Sequence, residues 1–547
     1  MSRIGDLLIA RGLISERQLE IALIQQRTTG AILGDTLISL GFVTAKEFAV
    51  TIADQSGITY LDLDSYVISE DALRLFSKET AQKAAFIPLE LSDGVLSIGV
   101  INPSNIIAVD TALKATGHQP RVFLVDQDSF NNAIEKAYYF VEHPVKQRIT
   151  TLLSSIRKAT GGVSGVLTTE LNDLLIMDGI RKGATDVHIT PAMDVLHIFY
   201  RIDGVLHYGH CLPKPVQQHI VSRIKIMSQL DIAEQRLPQD GSLTFEFLNN
   251  KYDLRVSTIP TIFGENVVIR ILHTSGALMN ITSLGLAESE VARIRHLFRK
   301  SHGVILITGP TGSGKTTTLY AALREINLLE RNVITVEDPV EYRLSFVRQT
   351  EVNERSGYGF ALAARNFMRQ DPDVMLLGEI RDEETAQIAV RASITGHLVL
   401  STLHTNDAVT AVPRLLDLKM DRLLLSTSLL AVVAQRLARK ICPHCREEYI
   451  LDDEERKMFT TRGIERTTAF RGKGCERCDR TGYLGRIAIC EILVINDEMR
   501  EMIYNGVSSI VLTDTAIRSG MTTMLDDGVR KVAANVTTFS EIMRVVG

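Results

Sequence analysis

No apolar stretch in these 547 residues runs uninterrupted for the ~18–20 positions of a membrane-spanning helix, so the chain is not expected to cross a bilayer. The opening residues, Met1-Ser2-Arg3-Ile4-Gly5-Asp6, lack the basic-then-apolar layout of a secretory signal. A cytoplasmic location is therefore expected. An excess of one charge is missing too: 60 Lys and Arg face 65 Asp and Glu for a net charge of -5, which gives no global push towards nucleic acid. Cysteine is scarce. Six residues in so long a chain make no disulfide framework, and four of them fall into two CxxC pairs, which in a reducing compartment points to metal. The rest of the composition, 45% hydrophobic and 23% charged, is ordinary for a soluble protein with ample core. Single cores rarely grow beyond ~250–300 residues, so several domains are expected.

The most informative stretch that is present is Gly309 to Thr316, reading GPTGSGKT, between the apolar run Gly303-Val304-Ile305-Leu306-Ile307-Thr308 and the helical pattern that follows. Strand, glycine-rich loop and helix in that order are what a phosphate-binding loop requires, because the glycines bring backbone N–H groups close to a polyphosphate at a helix N-terminus. The candidate ATP-binding residues are Gly309, Pro310, Thr311, Gly312, Ser313, Gly314, Lys315, Thr316 and Thr317. Lys315 is expected to reach the β/γ-phosphates and the Thr316 hydroxyl to hold magnesium.

An internal repeat opens the chain when residues 3–26 are laid on residues 32–55. Gly5 and Gly12 fall on Gly34 and Gly41, Leu19 and Leu23 on Phe48 and Ile52, and Gln26 on Gln55, with Arg27 to Ala31 between the copies. Each copy predicts a short helix ending at glycine, then a helix opened by Ser15 or Thr44 as N-cap. Such a duplicated bundle suits either a docking module or a ligand site. Residues 57–138 read as a mixed α/β segment with strands across a turn at Asp93-Gly94, and the glycines near Thr160 predict a flexible linker over 139–165.

From Leu167 a helix leads into alternating strands with a hairpin turn at Asp203-Gly204 and another turn at Arg236 to Gly241. The strands at 253–258 and 267–272 each carry one arginine, Arg255 and Arg270, which suits a surface ion pair or, in a chain with a P-loop, contact with a terminal phosphate. Beyond the P-loop, Asn332 to Val336 is a strand running into Glu337-Asp338-Pro339-Val340-Glu341, and Val374 to Leu377 a buried strand ending in Gly378-Glu379. Carboxylates at such strand ends can orient water or hold magnesium, since α/β sheets bind ligands at that edge. His397 and His404 flank a third strand; a histidine there is either a satisfied polar group or part of a site. Cys442, Cys445, Cys475 and Cys478 have the spacing of a closed tetrahedral zinc site, while Cys211 and Cys490 read as ordinary buried cysteines and the tail, 481–547, as mostly helical.

Taken together, the motif set resembles the assembly ATPases of type II secretion and type IV pilus systems, within the secretion ATPase superfamily. The stretch Gly309 to Thr316, the acidic box Thr335 to Glu341, Gly378-Glu379 and the histidine box Thr395 to His404 occur in the family's order. The implied architecture is an α/β multidomain chain. A RecA-like P-loop ATPase core spans 281–547, with a tetracysteine zinc insertion at 440–480 and a helical C-terminal part. Before it come a PAS-like, arginine-bearing α+β domain at 166–280, the linker at 139–165, an α/β adaptor at 58–138 and the helical repeat at 1–57. By the same resemblance Glu341 orients the attacking water, Glu379 holds magnesium, Arg255 and Arg270 contact the terminal phosphate, and His397 and His404 line the site and couple it to domain movement.

The repeat itself resembles the tandem cyclic di-GMP motif at the N-terminus of some of these ATPases, including its spacer. That likeness assigns Arg3, Gly5, Asp6, Leu8, Gly12 and Gln26 of the first copy, with Gly34, Asp35, Leu37, Gly41 and Gln55 of the second, to the dinucleotide; Ile32 departs from it, standing where a basic residue would match Arg3. The expectation is a hexameric cytoplasmic motor using ATP, Mg2+ and Zn2+, regulated by cyclic di-GMP and recruited to the inner-membrane face through a platform protein, with no nucleic acid as partner. Retraction motors of the superfamily generally lack the long N-terminal region and the four cysteines, so assembly is expected. A regulatory sensor or scaffold with incidental hydrolysis, and a DNA-handling motor, are the competing classes; the acidic balance gives the latter no support.

Overall fold

A computed structural model describes residues 4–158, 165–248, 250–273 and 280–547. The chain divides into two units, one of residues 1–38 and 42–276, the other of residues 277–547 with 39–41.

In the first unit the repeat folds as one hairpin made twice. Helix Ile4–Ala10 turns at Gly12 (φ 67°) into Glu16–Thr29, and helix Leu33–Ser39 turns at Gly41 (φ 72°) into Ala45–Ser56. Both long helices begin with a capping box. The Ser15 hydroxyl accepts from Gln18 N while Gln18 Oε1 accepts from Ser15 N, and Thr44 and Glu47 do the same. Ala49 and Ala53 of the second hairpin share a core with Phe76, Phe86, Leu96 and Ile98, so packing continues across residue 57. There a three-stranded sheet forms in the order Phe86–Ser92, Val95–Val100, Arg121–Leu124, with the expected turn at Asp93-Gly94, both at positive φ.

The linker expectation fails over residues 145–158, which form the helix Val145–Lys158. Val145, Ile149, Leu152 and Ile156, spaced for one helical face, are buried against Leu171, Leu174 and Leu175. Residues 159–164 of that linker lie outside the described residues. Next comes a six-stranded antiparallel sheet in the order Val205–Pro213, Val195–Ile202, Asp186–Pro191, Gly264–His273, Asn250–Thr261, Gln239–Phe247. Gln239, Asp240 and Gly241, expected in a turn, open its edge strand by pairing with Thr258, Ser257 and Val256. Helices Gly165–Arg181 and Gln217–Met227 supply Leu171, Leu175, Ile220 and Ile224 to its core.

The second unit is built on a seven-stranded sheet in the order Val347–Glu351, Val333–Glu337, Val374–Leu377, Leu398–Leu403, Gly303–Thr308, Leu429–Ile441, Tyr483–Val494. All neighbours are parallel except the last pair. The last strand falls in the tail read as mostly helical; its buried run, Ala488 to Leu493, fits a helix or a strand until its partner is known. Val304 and Leu306 belong to one core and Ile305 and Ile307 to the other, so the P-loop strand is covered on both faces. Among the described residues no helix is long and apolar enough to cross a membrane.

Candidate active site

Parallel register brings four strand ends to one edge. Thr308 lies opposite Leu403, Leu377 opposite Ser401, and Val336 opposite Leu377, so the P-loop, Glu337, Gly378-Glu379 and His404 all leave the sheet on the same side. The loop enters helix Lys315–Glu325 through Gly309 (φ 145°), Gly312 (φ 78°) and Gly314 (φ 87°). A Cβ on Gly309 would lie 2.5 Å from both Gln435 O and Ser313 Oγ, so close approach as well as backbone freedom demands glycine there. Lys315 Nζ donates to Gly309 O (2.9 Å) and Pro310 O (3.0 Å). Burial lowers the Lys315 pKa, opposed by the carboxylate of Glu379 and assisted by the charge of Arg436. Ser313 Oγ is buried without a hydrogen-bond partner among the described residues, an open valence that suits a loop shaped for phosphate oxygens.

One residue bracing this loop escaped the sequence reading. Gln435, 1% exposed, accepts from Thr318 Oγ1 (2.6 Å) and donates to Ser313 O (2.8 Å). Its signal was a lone amide at the end of the apolar run Leu429 to Ala434, which requires partners when buried. Beside it Arg436 donates to Asn406 O (2.8 Å) and adds a cation near Lys315.

Glu379 is paired with Arg381, and His404 Nε2 stands 3.7 Å from its Oε2. Burial, then the charge of Lys315, hold the His404 pKa below its ordinary value, with Glu379 pulling the other way. Glu341 is half-buried in the loop after Val333–Glu337, next to Tyr342, whose pKa is raised by burial and by that carboxylate. His397 is not brought to this edge. It precedes Leu398, which pairs with Gly303 at the opposite end of the strands, about 20 Å away at ~3.3 Å per residue. Its Nδ1 lies 2.9 Å from Ala392 O, so it is a satisfied helix-end histidine and does not line the P-loop.

In the first unit Arg255 and Arg270 face each other directly, and Arg270 is opposite Asp186, which is opposite Arg201. Arg270 Nε donates to Asp186 Oδ1 (3.1 Å), with Arg201 Nε 3.8 Å from Oδ2. Three arginines and one aspartate thus cross four strands in one row; Arg201 was not singled out from the sequence.

The repeat residues separate by burial. Leu8 and Leu37 are fully buried, and a Cβ on Gly5 or Gly34 would lie 2.9 Å from Leu19 or 2.5 Å from Phe48. These four positions pack in the core, and the absence of a side chain at the two glycines lets the helices of each copy approach closely. Asp6, Gly12, Asp35 and Gln55 are exposed, Gln26 and Gly41 half-buried, Ile32 exposed, and Arg3 lies outside the described residues.

Cys442, Cys445, Cys475 and Cys478 place their sulfurs within 4.8 Å of one another. Sulfur–sulfur separations of 3.9, 3.8 and 3.7 Å match the ~3.8 Å edge of a tetrahedron with ~2.3 Å metal–sulfur bonds. Burial raises the Cys478 pKa, but N–H groups of Cys475 and Gly482 outweigh it and hold the thiol at about 7. His444 is instead bonded by Arg477, 2.9 Å from its Nδ1. The donor set fits zinc.

Residues 164–544 match the family described as type II/IV secretion system protein, and residues 56–143 match the MshEN domain, which begins just after the repeat. The type IV pilus assembly ATPase PilB of Myxococcus xanthus is 37% identical over 559 residues, 99% of this chain and 98% of that protein. The type II secretion system ATPase E of Vibrio cholerae is 45% identical over 376 residues, 69% of this chain and 75% of that protein. Among solved structures, the Legionella pneumophila ATPase DotB aligns with a TM-score of 0.52 at 19% identity, over 72% of this chain and 98% of that one, a likeness of fold.

Proposed function

Because the chain belongs to the type II/IV secretion system protein family, we propose that it is a motor ATPase that drives assembly of a type IV pilus or a type II secretion pseudopilus. The observation that carries this reading is the convergence of Lys315, Glu379 and His404 at one sheet edge, with the loop bearing Glu341 leaving the same edge. Hydrolysis is phosphoryl transfer to water, which needs positioned charge and an oriented nucleophile rather than a covalent intermediate. Lys315 and the loop N–H groups bind the β/γ-phosphates. Glu341 orients the water, and Glu379 and Thr316 hold magnesium, which neutralises charge on the phosphates when bound. Arg255 and Arg270 are assigned to the terminal phosphate. Asp186 pairs with Arg270 and Arg201, but Arg255 stands directly opposite Arg270 on the adjacent strand, a like-charge contact that costs stability, so the row carries surplus positive charge that suits an anion.

The seven-stranded sheet is read as RecA-like and the six-stranded domain as PAS-like, within the domain boundaries given above. The four cysteines are assigned to a structural zinc with no open position for chemistry. Residues 1–57 are assigned to cyclic di-GMP through the repeat residues named above, and the working form to a homohexamer at the cytoplasmic face of the inner membrane, held there by a platform protein. The test is turnover of the full chain. Lys315→Ala and Glu379→Gln are expected to stay folded and lose nearly all ATP hydrolysis. Parental rates in either would defeat the assignment, and near-zero turnover in the unmodified chain with its platform partner would favour a regulatory sensor.

A further inference from the structure

Tyr320 lies on the helix that begins at the P-loop lysine, 2% exposed, with its ring edge-on to Tyr342 at 5.3 Å. Its hydroxyl donates to Glu337 Oε2 (2.6 Å) and accepts from the backbone N–H of Tyr342 (3.3 Å). Gln349, on the neighbouring strand Val347–Glu351, donates to the same hydroxyl (3.3 Å), to Glu337 Oε1 (3.3 Å) and to Tyr342 O (2.9 Å). Its own Oε1 accepts from Leu344 N (2.7 Å). On the other side of Glu341, Val340 N donates to Glu351 Oε1 (3.2 Å). The loop carrying Glu341 is therefore pinned on both flanks, and it is joined to the P-loop helix by the Tyr320 phenol oxygen as well as by the ring contact with Tyr342.

That phenol is kept as a donor, since burial, with the Glu337 carboxylate beside it, pushes the Tyr320 pKa far above its ordinary value. Glu337, 5% exposed, takes a further hydrogen bond from Thr335 Oγ1 (2.6 Å), so its oxygens are engaged by neutral donors. An extended network of this kind fixes geometry more than it adds stability.

We propose that Tyr320 is a positioning residue for hydrolysis: its hydroxyl joins the helix that anchors Lys315 to the loop that carries Glu341, setting the carboxylate in register with the phosphate site. This rests on the assignment of the water-orienting role to Glu341. A loosened carboxylate changes the chemical step and leaves nucleotide binding to the untouched P-loop, and small misplacements of such groups cost ~10–100-fold in rate.

Steady-state ATP hydrolysis by the full-length chain, with thermal melting in parallel, tests it. Tyr320→Phe keeps the ring against Tyr342 and is expected to lower kcat about tenfold with KM for ATP within about twofold of parental. Gln349→Met, which leaves Tyr320 and Glu337 in place, is expected to do the same and decides the matter if the phenylalanine variant melts early. Glu341→Gln is the control and is expected to abolish turnover. Full kcat in Tyr320→Phe or Gln349→Met, or a loss confined to KM, overturns the positioning role while Glu341→Gln is inactive. Parental turnover in Glu341→Gln instead overturns the assignment of Glu341 itself.

Discussion

Replacing Gln435 by leucine removes a buried amide of almost unchanged size, so the loss is in hydrogen bonds rather than volume. The amide satisfies Thr318 on the first turn of the P-loop helix and the carbonyl of Ser313 inside the loop. Deleting it strands two buried polar groups, each at ~1–3 kcal/mol, and ~2–4 kcal/mol in all is a fair expectation for two groups that share one partner. In a unit of this size ~1 kcal/mol shifts Tm by ~2–4 °C, so the transition of the ATPase unit should fall by about 5–12 °C. Scanning calorimetry reads that shift and steady-state kinetics reads the second effect, a rise in KM for ATP as the loop loses its floor. The matching variant Gln435→Glu keeps an acceptor for Thr318 but removes the donor to Ser313 and places a charge under the phosphates, so it should raise KM further. A melting temperature within about 1 °C of parental, with unchanged KM, would refute the claim that this amide holds the loop.

Three further outcomes are expected. Purified protein should carry about one zinc per chain by elemental analysis, and Cys475→Ser or prolonged chelation should remove it and lower the melting temperature; metal-free protein melting normally would sink the assignment. Calorimetric titration with cyclic di-GMP should show saturable binding weakened by Arg3→Ala, and no heat at high ligand concentration would leave the repeat a docking module. His397→Ala should keep parental turnover at a small cost in stability, whereas His404→Ala should lose activity. His404 has its pKa held down in the fold, so its contribution to stability is present above the unfolded value of ~6.5 and is lost as pH falls below it, and an acid melting series that is identical in parent and His404→Gln would contradict this.

The parts of this molecule that could be read in advance are those whose chemistry is contiguous. The P-loop, the CxxC pairs and the capping boxes at Ser15 and Thr44 each lie within a few residues, so spacing alone carries the geometry. His397 and His404 show where this stops. Both belong to one motif, but they flank a strand, and a strand of six residues carries them to opposite edges of the sheet. Gly5 and Gly34 show another limit, because a sequence shows the missing side chain without showing Leu19 or Phe48, which crowd the space beside it. Gln435 meets Thr318 across more than a hundred residues, and no local pattern announces that contact. The helix Val145–Lys158 was legible in its apolar spacing and was masked only by the weight given to the glycines after it.

Three glutamates sit near the same sheet edge, and their surroundings separate their roles. Glu337 ends its strand buried, with Tyr320, Thr335 and Gln349 holding its two oxygens at 2.6, 2.6 and 3.3 Å. To ligate magnesium or take a proton it would have to break those bonds without solvent to replace them, at ~1–3 kcal/mol for each group left unpaired. Glu379 is held from one side by Arg381, and among the described residues its second oxygen faces His404 at 3.7 Å, an arrangement open enough to suit a metal or its water. Glu341 is half-buried beside Tyr342 on a loop whose flanking main-chain N–H groups are held by Glu351 and Tyr320, so its backbone is fixed where a water-orienting carboxylate is proposed. Side-chain donors hold the Glu337 carboxylate, which suits a strut, whereas beside Glu341 it is the main chain at Val340 and Tyr342 that is held, which suits a fixed loop.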